Sequence, residues 1–140
     1  MAKDILDTTK RSWVMSRVRS KDTTPERVVR SALHNAGYRF RIHRADLPGK
    51  PDIVLPKYQL AIFVNGCFWH QHPDCKKATI PENNREFWQK KLTRTIERDK
   101  QNRCKLYLLG WKVLTLWKCD IKASLPNTLI LVERSLNPTI

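Results

Sequence analysis

The stretch from Asn65 to Lys77 constrains this chain more than any other. It crowds Cys67, His70, His72 and Cys75 into a segment without helical or strand periodicity. Four residues separate Cys67 from His72, and two separate His72 from Cys75. Thiolates and imidazole at this spacing suit a soft, tetrahedral ion, zinc before any other. The segment is short of a fourth ligand, which must come from elsewhere. Cys119, two residues past the end of the expected strand Trp111–Trp117, is the best candidate, whereas Cys104 falls mid-helix and reads as a small buried apolar residue. Such a closed site would pin the loop to a sheet rather than catalyse. Two alternatives stand beside it: Cys67 and Cys75 as ordinary buried thiols, and His70 as a ligand in place of His72. A disulfide framework is not expected, because Met1-Ala2-Lys3-Asp4-Ile5 lacks the apolar stretch of a secretory signal and a cytosolic setting follows.

The remainder reads as one domain over residues 1–140, with residues 1–20 forming an arm that carries Trp13, Met15, Arg17 and Arg19. Thr24-Pro25-Glu26 starts a helix, with a hydroxyl cap, proline in the first turn and a carboxylate at the positive end of the dipole. Val28, Val29, Ala32, Leu33 and Ala36 continue it at helical spacing to Gly37. Tyr38, Phe40 and Ile42 alternate with Arg39, Arg41 and His43 as a half-buried strand. Asp52–Leu55 and Tyr58–Val64, parted by Pro56-Lys57, predict a hairpin. A helix over about residues 84–109 places Trp88, Leu92, Ile96 and Asp99 on one side. Trp111–Trp117 is a buried strand and Leu129–Leu136 a final helix. The order predicts a mixed α/β domain around a central sheet.

Charge narrows the partner. The chain holds 27 Lys and Arg against 13 Asp and Glu, a formal net charge of +14, which favours a polyanion such as nucleic acid, although a merely solvated basic surface would look the same. No apolar run approaches the length of a membrane span.

Three polar residues are placed to do chemistry on such a partner. Asp52 opens a strand behind Pro51, where a fixed carboxylate can hold Mg²⁺, clamp a phosphate and activate water; an Asp after Pro is also a common turn residue. Glu26 suits the same work or a simple helix-dipole role. If His72 ligates the soft metal, His70 is left as a general base on water. Phe68 and Trp69, in a loop, and Trp88, on the next helix, either pack over the metal or stack between bases.

The run Asn65-Gly66-Cys67-Phe68-Trp69-His70-Gln71-His72, preceded by Leu47-Pro48-Gly49-Lys50-Pro51-Asp52, resembles the very short patch repair (Vsr) endonucleases, DNA mismatch nicking enzymes. The likeness continues through Arg85-Glu86-Phe87-Trp88, Glu97-Arg98-Asp99, Leu109-Gly110-Trp111-Lys112-Val113 and Trp117-Lys118-Cys119, and back to Thr9-Lys10-Arg11-Ser12 with Met15. It implies a restriction-endonuclease-like PD-(D/E)XK fold, a central mixed sheet flanked by helices with a structural zinc. It also implies a strand-specific nick 5′ of the thymine in T:G mismatches left by 5-methylcytosine deamination. A cytosine-5 methyltransferase is then the genomic companion, other DNA repair proteins are possible partners, and the enzyme acts as a monomer beside the nucleoid. By position the resemblance makes Asp52 the Mg²⁺ ligand with the Val64 carbonyl, His70 the general base and Glu26 a support through waters. Cys67, His72, Cys75 and Cys119 hold the zinc. Phe68, Trp69 and Trp88 enter the base stack, with Met15 on the opposite groove side. Three departures stand out. Asn65 replaces a histidine frequent in the family, one extra residue lies between His72 and Cys75, and Ile62-Phe63-Val64 offers no (D/E)XK lysine. The alternatives are a related nuclease without mismatch preference and a non-catalytic zinc DNA-binding module.

Overall fold

Two apolar runs broken at Pro56 decide the sheet. In the computed structural model, which describes residues 23–136, β2 (Ile53–Leu55) and β3 (Leu60–Asn65) form an antiparallel hairpin pairing Ile53 with Ile62 and Leu55 with Leu60. Pro56–Tyr58 makes a 3₁₀ turn, and Gln59 (φ 50°) closes it in the left-handed region. The second strand therefore starts at Leu60, two residues later than Tyr58, because the connection itself consumes Tyr58 and Gln59. Ile53, Leu55, Leu60, Ile62 and Val64 face one core with Val29, Leu33, Leu116 and Val132. Val54 and Ala61 face the other, with Leu47 and Leu106. Both faces of the hairpin are buried, which is why its residues are apolar nearly throughout.

The helix α1 (Thr24–Asn35) begins as its sequence predicts, with Pro25 and Glu26 in the first turn, but Thr23 occupies the N-cap and neither threonine hydroxyl caps it. Val29 and Leu33, one turn apart, are fully buried. Gly37 (φ +89°) ends the helix, and the amide of Tyr38 donates back to the Leu33 carbonyl at 3.0 Å. With that donor spent on the helix terminus, the expected strand from Tyr38 contracts to β1 (Arg41–Ile42), paired with β2. Tyr38 and Phe40 still pack against the core.

The long α2 (Arg85–Leu108) carries the chain back so that β4 (Lys112–Trp117) lies parallel to β3, from Leu60 beside Lys112 to Asn65 beside Trp117. The sheet order is β1-β2-β3-β4, which leaves β4 at an edge. The expected buried strand is thus half-buried, with Leu116 its buried residue. Cys104 is also corrected: it is exposed on α2 instead of packed inside. The short α3 (Lys118–Ala123) and α4 (Leu125–Leu136) complete the cover of the α1 face through Ile121, Val132 and Leu136. Among the described residues no helix is long and apolar enough to cross a membrane.

Candidate active site and metal centre

Topology brings the chemically useful residues to one end of the sheet. Because β2 runs against β3, the start of β2 lies beside the end of β3, and parallel β4 ends there too. Asp52 precedes β2, Val64 and Asn65 close β3, and Cys119 follows β4. Asp52 Oδ2 accepts the Val64 N–H at 2.7 Å. Burial pushes Asp52 up to about 6, assisted by Glu26 and opposed by the Val64 N–H, His43 and His70. Glu26 is buried in the first turn of α1, with Oε2 3.2 Å from His43 Nε2. One ligand atom from each of Glu26, His43 and Asp52 lies within 4.8 Å of the others.

His70 enters the same space from the loop. Its Nδ1 is 2.6 Å from Asp99 Oδ2 on α2, so Nε2 is the nitrogen offered to water or substrate. A cleft of about 490 Å³ is lined by Lys50, Asp52, His70, Arg98, Asp99 and Arg103, among others. Its acids have partners: Asp99 meets His70 and Asp52 meets an amide. Lys50, Arg98 and Arg103 make no ion pair recorded among the described residues, so the walls suit an anion. The turn at Gly49 (φ +79°) is held tightly here, since a Cβ would meet Asn102 and Phe63 at 3.1 Å.

Past the ends of β3 and β4, Cys67, His72, Cys75 and Cys119 bring one ligand atom each within 4.8 Å of the others. Cys119 Sγ is 3.3 Å from His72 Nδ1, and the His72 ring stacks on Trp117 at 4.3 Å. Burial pushes the Cys119 thiol up to about 12, whereas a backbone amide at Lys77 holds Cys75 below its usual range. Three thiols and an imidazole in this grouping match the donor set of a tetrahedral soft-metal site. Between His72 and Cys75 the chain makes a turn, the Cys75 amide donating to the His72 carbonyl at 3.3 Å. His72 belongs to this cluster and His70 does not, which separates the two histidines that spacing alone left interchangeable.

The aromatics group with one another. Phe68, Trp69 and Trp88 meet at centroid distances of 5.2, 5.4 and 5.8 Å, and Phe87 joins Trp88 at 5.3 Å. Trp69 and Phe87 are 42% and 59% exposed, so the cluster shows ring surface to solvent beside His70. Met15 and the arm over residues 1–20 lie outside the described residues. Sequence reasoning passed over His43, Asp99 and Phe87. The alternation that marked the strand also put His43 on its polar side, and the helical side containing Trp88 and Leu92 already ended at Asp99.

Residues 3–77 match the family described as DNA mismatch endonuclease Vsr. The type II nicking enzyme V.XorIIP of Xanthomonas oryzae is 45% identical over 84% of this chain and 86% of its own length. The DNA mismatch endonuclease Vsr of Escherichia coli is 39% identical over 85% of this chain and 76% of its own. Among solved structures, the catalytic domain of the homing endonuclease I-Bth0305I superposes with a TM-score of 0.56 at 22% identity, covering 81% of this chain and 94% of that domain.

Proposed function

The chain belongs to the Vsr family of DNA mismatch endonucleases, and from that premise we propose that it nicks one DNA strand 5′ of the thymine in a T:G mismatch by Mg²⁺-dependent hydrolysis. The observation that carries this is the convergence of Asp52 and His70 on one cleft with Lys50, Arg98 and Arg103 in its walls. In-line attack on a phosphodiester needs an activated water, a held phosphate and a stabilised leaving oxygen. His70 takes the water's proton at Nε2. Asp99 orients the ring through Nδ1 and balances the charge that the ring gains. The cationic side chains grip the non-bridging oxygens and the flanking phosphates.

Asp52 and Glu26 fit a hard dication, since two carboxylates packed into one buried corner repel until a positive charge joins them. Asp52 would bind it directly, Glu26 through water, and the Val64 carbonyl leaves β3 by the same edge as the amide that holds Asp52. When bound, Mg²⁺ supplies charge neutralisation at the phosphate and lowers the barrier to losing the 3′ oxygen. Cys67, His72, Cys75 and Cys119 would hold structural zinc, with Asp120 3.9 Å from His72 Nε2 helping to orient the imidazole. Phe68, Trp69 and Trp88, which pack on one another, would wedge into the base stack, where a mismatch opens more cheaply than a Watson–Crick step. The likeness to a homing endonuclease domain supports a restriction-endonuclease-like fold over a single domain, and the asymmetry of one mismatch supports a monomer.

The experiment is a strand-resolved nicking assay on duplexes carrying T:G, T:A or C:G at one position, with and without Mg²⁺. A single Mg²⁺-dependent nick 5′ of the mismatched thymine is expected. Equal cutting of all duplexes would instead make this a nuclease without mismatch preference.

A further inference from the structure

His43 is held at the cation corner by its backbone as well as its ring. The β1–β2 register pairs Arg41 with Val54 and Ile42 with Ile53, so the next position sets His43 across from Asp52. The His43 amide donates to the Asp52 carbonyl at 3.1 Å, and the residue sits at φ 48°, where side chains other than glycine are seldom found unless the surroundings enforce it. Residues opposite one another in an antiparallel pair share a face. The ring accordingly reaches the corner: its side chain is 14% exposed, and Nε2 lies 3.2 Å from an Oε2 of Glu26 that is itself buried.

One ligand atom from each of Glu26, His43 and Asp52 lies within 4.8 Å of the others. Adjacent donors around one small dication stand about 3 Å apart, close to the 3.2 Å between His43 Nε2 and Glu26 Oε2, so the imidazole nitrogen lies within ligand reach of the corner that Asp52 and Glu26 define. We propose that His43 is a nitrogen ligand of this corner, so that the site takes a transition-metal dication of the manganese or cobalt type in preference to Mg²⁺. This rests on reading Asp52 and Glu26 as the cation site. Oxygen donors alone suit Mg²⁺, whereas an imidazole adds affinity for the borderline ions and little for Mg²⁺.

The test uses the full chain with its thiolate site loaded with zinc. Mn²⁺ binding is followed by electron paramagnetic resonance, ¹⁴N coupling to the bound ion by spin-echo modulation, and Mg²⁺ binding by competition. Wild type is expected to take Mn²⁺ at a site that Asp52→Ala removes, and to show ¹⁴N coupling there. His43→Gln keeps side-chain length and a donor toward Glu26. It is expected to lose that coupling and to bind Mn²⁺ about tenfold or more weakly, with Mg²⁺ weakened less than about threefold. Coupling that survives in His43→Gln, a wild-type site without coupling, no Asp52-dependent Mn²⁺ site, or equal weakening for both ions would each overturn the proposal. The wild-type spectrum needs no variant, so a folding defect in His43→Gln leaves a decisive measurement. None of these readouts involves DNA. A wild type that fails to nick T:G duplexes with either ion would sink the proposed reaction and not the ligand assignment.

Discussion

Asp52 sits where a carboxylate is least comfortable without a cation. Burial raises it from the ordinary 3.8 to about 6, and Glu26 pushes the same way. Between those two values the metal-free fold holds a proton that the unfolded chain has released, so stability falls as pH rises through that window and stays lower above it. Asp52→Asn keeps an oxygen for the Val64 N–H and removes the charge. It is expected to raise metal-free stability at pH 7 by about 1–3 kcal/mol, read from urea midpoints, while abolishing nicking. A variant less stable than wild type at pH 7 would contradict the assigned cause. Asp99 makes a different demand, since its contact at 2.6 Å sets which nitrogen of His70 faces the cleft. Asp99→Asn is expected to lower kcat by about 10²–10³-fold with little change in DNA affinity. Single-turnover nicking at wild-type rate would remove Asp99 from the machinery.

At the scale of elements, the loop over residues 65–77 has little regular structure of its own to hold its shape. Its regular structure is a single 3₁₀ turn at Lys76–Ala78, and it contributes Cys67 as its buried apolar residue. With zinc held there as proposed, stripping it with a chelator is expected to unfold this segment and lower Tm, not merely to slow the reaction; an unchanged circular dichroism melt after verified metal loss would count against a structural site. The hairpin around Pro56 and the helix from Pro25 were legible because apolar runs, helical periodicity and turn residues are local signals. β1 was over-read because nothing local reveals that the Tyr38 amide is spent on the Leu33 carbonyl. The burial of β4 was over-read because an edge position depends on strand order, and Cys104 was misplaced because the polar α2 presents most of its surface to water. The four metal-binding candidates were legible from their chemistry. His43 was not, since only the β1–β2 register sets it across from Asp52.

Across the whole molecule, the formal charge of +14 has its counterpart in a cleft whose Lys50, Arg98 and Arg103 make no ion pair among the described residues. Duplex affinity should fall by about a hundredfold or more between 50 and 200 mM salt, measured by fluorescence anisotropy. A flat response would mean that few phosphates are touched. The parallel pairing of β3 with β4 has a consequence in time as well as in space. These strands meet only after the chain has closed a connection over residues 66–111, a costly and slow kind of contact to form. Cys67, His72 and Cys75 lie at the start of that connection, just past β3, and Cys119 lies past the end of β4. An ion caught first by the loop would wait for its fourth ligand until β4 has docked, so the arrival of that last thiolate would time the closing of the sheet.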